Sequence, residues 1–316
     1  MSRSTANVLL LLAGAIWGMG FIAQQTAMED MPAMLFIALR FLLAAAVVAP
    51  LSLWELRHQI EPFSPQTFGR FSILGGVFFI AMTLQQLGLL GTTVTNAGFL
   101  TALYVVMVPI VLFVVLRQRQ PIVIWIAAAI SLTGIFLLSG GSLARITWGD
   151  WFVVLCAFFW AIHVILVGKF VSETTLPITM AATQFLLCGL FALLAHVGCA
   201  IADVVDWAIS PAVLVAASPE ILYAGVMSGG VAFTLQVVAQ RRTSPSIAAI
   251  LMGSESLFAA LFGAILLGER LRPLGYVGCV LIFSAVLAVE LLPTKPRRNK
   301  CGEIDVVGSP SDPDSI

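Results

Sequence analysis

Charge is scarce in this sequence. Only 10% of its 316 residues are Asp, Glu, Lys or Arg, against roughly 25% in a soluble globular domain. With 60% of the residues hydrophobic, too few polar groups exist to cover a soluble surface. Basic and acidic residues number 16 each, for a net charge of zero, so nothing points to nucleic acid. The five cysteines (Cys156, Cys188, Cys199, Cys279 and Cys301) lack metal or redox spacing. Four fall in apolar segments and one near the polar end, which argues against structural disulfides. The three histidines (His58, His163 and His196) are scattered, and no His/Asp/Glu cluster accompanies them. That weighs against an integral membrane enzyme acting on a lipid-linked substrate. No glycine loop runs into Lys-Ser/Thr, which excludes a primary pump within this chain. No cofactor or metal is expected.

What the chain has in abundance is apolar sequence in blocks near 20 residues, the length that spans a bilayer as a helix. Period-2 alternation is missing from most blocks, which argues against a β-barrel. Ten spans can be drawn, at 7–27, 34–54, 70–89, 96–116, 122–140, 150–169, 178–200, 221–240, 246–267 and 274–292. The first is too long, and lacks the small-residue cleavage site, to be a signal peptide. Residues 293–316 are Pro/Ser/Asp-rich, and a mobile polar tail is expected there. Alternating the loops from a cytoplasmic N-terminus places twelve basic residues inside, among them Arg57, Arg70, Arg117, Arg119, Arg241 and Arg242. Only Arg145, Arg270 and Arg272 fall outside, and Arg40 is left within a span. This asymmetry predicts cytoplasmic termini and an even number of spans. The expected location is the cell membrane, a bacterial inner membrane.

The two halves echo one another. Thr83-Leu84-Gln85 recurs as Thr234-Leu235-Gln236, 151 residues later. Trp17 matches Trp160, and Arg40-Phe41 matches Gln184-Phe185. Pro32 and Pro177 precede the second span of each half, while Pro121 and Pro273 open the fifth. Proline is tolerated there because the first helical N–H groups have no intrahelical partner. Five spans per half is an odd number, so the halves insert with opposite orientation. The expected fold is therefore an all-α integral membrane protein, ten transmembrane helices as two inverted five-helix repeats, 1–140 and 141–292, an arrangement found in secondary transporters.

Three motifs carry a more specific resemblance. The first span contains Ala15-Ile16-Trp17-Gly18. The fourth begins Thr95-Asn96-Ala97-Gly98-Phe99-Leu100-Thr101, followed by Tyr104 and Pro109. The ninth contains Glu255 with Phe258-Ala259-Ala260-Leu261, then Leu267-Gly268-Glu269-Arg270-Leu271. In order and spacing these resemble the EamA-type members of the drug/metabolite transporter superfamily, over about 7–292. The first half departs from that pattern, with Arg117-Gln118-Arg119-Gln120 where a Gly-Glu-Arg ending is expected. The resemblance implies a ten-helix carrier of small metabolites and no particular substrate.

The candidate site residues are polar or aromatic groups at bilayer depth. Arg40 lies roughly 9 Å into the second span at about 1.5 Å per residue. A charge there is costly unless paired or wetted. It is either an anion-recognising group in a central cavity, or a structural cation that snorkels outward or pairs with Glu29 or Asp30. Glu255 falls near the midplane, as a proton-coupling carboxylate, a partner of Arg40, or a structural acid bridging helices. Gln85, Gln86 and Asn96 cluster where the third and fourth spans meet, and Asn96 has the alternative role of helix cap. Gln236 and Gln184 are the repeat partners of Gln85 and Arg40. His163 lies one turn beyond Trp160, as a packing residue or a proton relay. Trp17, Trp160 and Tyr104 sit away from the interfacial belt that explains the remaining tryptophans, either as pocket walls or as packing. Gly18, Gly20 and Pro109 mark the first and fourth spans as candidate bending elements.

The reading that absorbs most of these features is a secondary transporter, not an enzyme. Its substrate is expected to be a small metabolite, an amino acid or related amphipathic compound, moved by alternating access and exported. A channel would need rings of pore-lining motifs across subunits, which a duplicated chain does not. The expected partners are that substrate, the lipid bilayer and a proton as candidate coupling ion. The expected assembly is a monomer or a homodimer.

Overall fold

The computed structural model describes residues 1–59, 63–140, 146–205, 210–266 and 271–292. The expected tail at 293–316, and with it Arg145, Asp206, Trp207, Glu269 and Arg270, lies outside the described residues. Among the described residues nine helical segments are long and apolar enough to cross a membrane, and Ile122–Leu138 is a tenth, shorter apolar helix.

The first half comprises α1 (Arg3–Asp30), α2 (Ala33–His58), α3 (Pro65–Leu89), α4 (Val94–Thr101), α5 (Tyr104–Val114) and α6 (Ile122–Leu138). The second comprises α7 (Trp148–Ser172), α8 (Pro177–Ile201), the short α9 (Pro211–Ala216) and α10 (Ser218–Leu222). A π-helix (Tyr223–Phe233) follows, then α11 (Thr234–Gln240), α12 (Pro245–Met252), α13 (Glu255–Leu266) and α14 (Pro273–Leu291). The fourth and ninth spans are thus each broken in two, and α9 is a loop helix that hydropathy did not reveal.

Local chemistry sets the helix starts. Ser2, Ser64, Thr93 and Thr147 each accept a hydrogen bond from a backbone N–H of the first turn, and Thr147 forms a reciprocal capping box with Asp150. Such caps satisfy donors that have no intrahelical acceptor. Asn96 is not the cap of α4; its backbone N–H donates to Thr93 Oγ1 at 3.2 Å. The prolines behave as expected, with Pro32 and Pro121 at the N-caps of α2 and α6 and Pro177 and Pro273 opening α8 and α14.

Packing follows a twofold rule. Exchanging the halves maps the first span on the sixth, the second on the seventh, and so on. Under that exchange the contacts of α3 with α7 become those of α1 with the π-helix, and α3 with α8 becomes α2 with the π-helix. The pairings α2 with α8 and α6 with α14 map onto themselves. At the last of these, Gly134 and Gly278 face each other so closely that a Cβ on Gly134 would lie 2.8 Å from the Gly278 carbonyl oxygen. Lipid tails are as apolar as leucine, so close approach of this kind, not exclusion of apolar groups from water, drives helix association. Apolar side chains such as Val8, Leu12, Ile73, Phe113 and Val280 are accordingly exposed on the outside of the bundle.

The bundle end that carries the N-terminus is laced together by polar contacts between spans. Asn7 donates to Glu290 and accepts from Thr243 at 2.8 Å. Ser246 donates to Gln120 at 2.9 Å, the Thr179 hydroxyl to Glu55 at 2.7 Å, and Arg70 meets Glu173 at 2.9 Å. At the opposite end, Thr92 bonding Asp150 and Gln86 reaching Gln24 and Met28 are the corresponding ties.

Candidate functional site

The site begins where two spans break. Between α4 and α5, at Ala102–Leu103, i→i+3 bonds such as Val105 N–H to Ala102 O (3.0 Å) replace the α pattern. Between α12 and α13 the chain turns at Gly253–Ser254, with Ser254 N–H bonding Leu251 O at 3.2 Å. The two breaks lie 151 residues apart, the spacing of the Thr-Leu-Gln repeat. They also pack together: a Cβ on Gly253 would stand 2.8 Å from Val105 Cγ2, so only glycine leaves that room. Interrupted spans at corresponding positions of two inverted halves are a strong pointer to a transporter's binding site. Pro109 is not the break; α5 runs through it.

The first residues after the breaks are Tyr104 and Glu255, and both line one cavity. Its walls reproduce the twofold. Trp17 and Phe21 of α1 stand opposite their repeat partners Trp160 and Val164 of α7. Met82 and Gln85 of α3 answer Phe233 and Gln236, while Thr101 and Tyr104 answer Met252 and Glu255. A cavity lined in such pairs lies on the pseudo-twofold axis between the halves. Gln24, Arg40 and Ser228 complete the lining without a repeat partner in it.

Aromatic rings form the floor. Phe233 packs against Trp17 at 4.6 Å, Phe78 at 4.8 Å and Trp160 at 5.7 Å between centroids, the last pair stacked. Trp17 is held by its indole N–H, which donates to Ser228 O at 3.1 Å. Rings so fixed offer flat apolar surface to a ligand with little entropy left to lose.

The electrostatics are bipolar. Arg40 is buried, with Nη2 on Met82 Sδ at 2.7 Å and the guanidinium over the rings of Phe36 and Phe41 at 5.1 and 4.6 Å. A thioether is a weak acceptor, and Nε has no protein partner. The alternatives of an outward snorkel or a pair with Glu29 do not describe this arrangement. Glu255 begins α13, where the helix dipole favours negative charge, and its buried Oε1 has no partner. Gln24 Oε1, Thr101 Oγ1 and Trp160 Nε1 are buried and unpartnered too. Buried polar groups are normally satisfied, so a cavity ringed by five residues with such atoms is built to receive hydrogen bonds.

Of the residues singled out in the sequence, Trp17, Arg40, Gln85, Tyr104, Trp160, Gln236 and Glu255 meet at this cavity. Four lie elsewhere. His163 and Gln184 bond each other at 2.8 Å behind the aromatic floor. Gln86 is tied to α1 through Gln24 O and Met28 Sδ. Asn96 stands in the first turn of α4, toward Asp150. Sequence reasoning missed Phe21, Gln24, Met82, Thr101, Val164, Ser228, Phe233 and Met252. The repeat held a usable signal for two of them, since Met82 and Phe233 each immediately precede Thr-Leu-Gln. Among the described residues no trio of His, Cys, Asp or Glu is grouped to hold a metal ion.

The model of the EamA-like transporter family matches residues 4–140 and again 147–291, once in each half. The chain belongs to the EamA-like transporter family. An uncharacterized transporter of Archaeoglobus fulgidus is 29% identical over 296 residues, covering 92% of this chain and 87% of its own. The uncharacterized inner membrane transporter YedA of Escherichia coli K12 is 24% identical over 299 residues, 89% and 90% of the two chains. A solved structure described only as "Crystal structure of protein" shares the fold, with TM-score 0.70 and 18% identity over 92% of this chain and 98% of that one. This EamA-like protein is therefore a multi-pass membrane transporter.

Proposed function

We propose that the protein is a secondary carrier of small zwitterionic or amphipathic metabolites, amino acids and their relatives first. The observation that carries this reading is the pairing, on one pseudo-twofold cavity, of a cation and a carboxylate with incompletely partnered polar atoms. Arg40 offers a planar fork of donors suited to a carboxylate. Glu255 and the amides of Gln24, Gln85 and Gln236 suit an ammonium group. The aromatic walls take the apolar part. Binding at the boundary of two inverted halves suits alternating access, with 1–140 and 141–292 as the units that rock against each other. The basic-residue asymmetry supports a cytoplasmic N-terminal end, and the polar lacing there supports reading this as the outward-facing state. Glu255 is the group to exchange a proton with the gradient, and export is the direction proposed.

Purified protein in liposomes, tested for counterflow of a labelled amino-acid panel with and without a pH gradient, examines this directly. Exchange of at least one amino acid, and its loss on Arg40→Met, is the expected outcome. Exchange of non-zwitterionic solutes, with none of the panel amino acids moving, would sink the substrate assignment. Gradient stimulation that survives Glu255→Gln would remove the coupling role.

A further inference from the structure

A second cavity lies on the far side of Glu255. One wall is a single face of α1: Gly18, Ile22, Gln25, Thr26 and Glu29 line it, at the i, i+4, i+7 spacing that aligns residues on a helix. Gln25, Thr26 and Glu29 are solvent-exposed, an expensive face for a spanning helix to show to lipid. Here they face α4, α6 and α13, whose contributions are mainly apolar, such as Phe99, Ile135 and Ala259. From Gly18 to Glu29 is eleven residues, roughly 16 Å at about 1.5 Å per residue. The cavity is therefore a vestibule with a polar stripe along α1 and Ser139 and Ser256 across from it, open at the end opposite the N-terminus.

Its floor is what makes it informative. Gly18 seals α1 onto α13, since a Cβ there would lie 2.7 Å from Ala259 N and 2.8 Å from Glu255 O. Glu255 and Phe21 line both cavities, so these two residues form the partition between them. Beside it in the vestibule, Ser256 Oγ is also buried and unpartnered. The titratable or charged groups toward Glu255 are Arg40 of α2, Tyr104 of α5, Cys156 of α7 and, up the vestibule, Glu29 of α1. Among the described residues α4, α6, α12 and the π-helix add no acid, base or cation there.

We propose that the vestibule is a proton-access route to Glu255, separate from the substrate cavity, with Glu29 at its mouth. This rests on the coupling role given to Glu255 above. An ammonium group docked on Glu255 from the central cavity blocks proton delivery from that side. Water in the vestibule reaches the same carboxylate from behind. Hydronium donates one proton to the carboxylate, leaving water and a neutral acid, and the neutral acid releases the ammonium. A polar stripe along α1, faced by largely apolar walls that add only Ser139 and Ser256, suits a file of water better than a zwitterion.

Gly98 supplies the test. It lines the vestibule but not the substrate cavity, and a Cβ on it meets nothing within 4 Å. In Gly98→Cys, made in a background lacking the native cysteines, benzyl methanethiosulfonate plugs the vestibule after folding. Infrared difference spectroscopy after a pH jump in liposomes then follows the carboxyl C=O band that Glu255→Gln removes. The plugged protein is expected to protonate at least tenfold more slowly than the same variant carrying a methyl disulfide. Ser228→Cys, plugged the same way in the substrate cavity, keeps the original rate. An unchanged rate at plugged Gly98, or slowing at Ser228 as well, overturns the separate route. A Glu255 band that does not titrate overturns the route together with the coupling role. A titrating band with pH-driven counterflow intact in Glu255→Gln defeats the coupling role alone.

Discussion

Arg40→Met separates function from stability more sharply than any other change in this bundle. The native guanidinium is buried, and its partners are one thioether sulfur at 2.7 Å and two ring faces at 4.6 and 5.1 Å. Methionine keeps the apolar stem, fills similar space and removes a charge that the protein itself hardly compensates. Replacing even a buried ion pair by apolar residues of similar volume is often neutral or stabilising by about 1–4 kcal/mol, and this guanidinium has no carboxylate attraction to lose. The melting temperature of the detergent-solubilised variant should therefore stay level or rise by a few degrees. Transport should move the other way. A hydrogen bond to a charged partner contributes about 1.5–3 kcal/mol, and each ~1.4 kcal/mol is a factor of ten. Half-saturation for a carboxylate-bearing substrate should thus weaken roughly 10- to 150-fold. Arg40→Lys keeps the charge but loses the planar fork, so its loss should be intermediate. The assay is the concentration dependence of uptake into liposomes, run beside a thermal melt. Half-saturation within twofold of the parent, or a melt lowered by many degrees, would show that Arg40 serves packing and refute the reasoning.

Other changes probe the frame around that cavity. Gly18→Ala puts a methyl against backbone atoms of α13 at 2.7–2.8 Å; overpacking of this kind costs about 1–3 kcal/mol and should lower the melting temperature. Gly98→Ala, with open space around the new methyl, should be neutral or gain up to about 1 kcal/mol in the same melt. Gln184→Ala strands the buried His163 Nε2 and should cost about 1–3 kcal/mol, while uptake half-saturation of the surviving protein stays unchanged. Asn7→Ala cuts the tie to Glu290 and Thr243; a cysteine at Gln236 should then label faster with a charged thiol reagent added from the N-terminal side. An unchanged labelling rate would mean that this cluster does not hold that end closed.

Much of this arrangement is legible in the sequence, because a bilayer makes polar and aromatic residues conspicuous. Arg40 and Glu255 stand out at mid-depth since hydrocarbon tolerates neither without a reason, and both reach the cavity. Depth says nothing about azimuth, however. Gln184 and His163 lie at comparable depth and turn to each other, satisfying a pair of buried groups that no sequence spacing relates. The helix breaks are hidden for another reason. Ala102-Leu103 contains no helix breaker, and the proline that does signal a break, Pro109, is accommodated inside α5. The broken span packs just past its break, at Val105, against Gly253 of the ninth, a contact between residues 148 positions apart that no local spacing reveals.

The departures from symmetry carry the chemistry. Gly75 abuts Gln184 and Leu187, and Gly225 abuts the equivalent Arg40 and Leu43. These two glycines are 150 residues apart, yet Gln85 and Gln236 farther along the same spans are 151 apart. One extra residue therefore lies between Gly225 and Gln236, within the π-helix Tyr223–Phe233. A π-turn accommodates an added residue without ending the helix, and such turns recur at functional sites. Here the segment brings Ser228 into the lining, where α3 has no counterpart. The same logic applies to Arg40 opposite Gln184, and to Glu255 opposite Tyr104. A cavity with identical halves would present the same group to both ends of a substrate and could not orient a dipole. Duplication supplies two equivalent frames, the pair that the proposed alternating access exchanges. Substitution at Arg40 and Glu255, and one inserted residue in the eighth span, make the pocket between them polar along one direction.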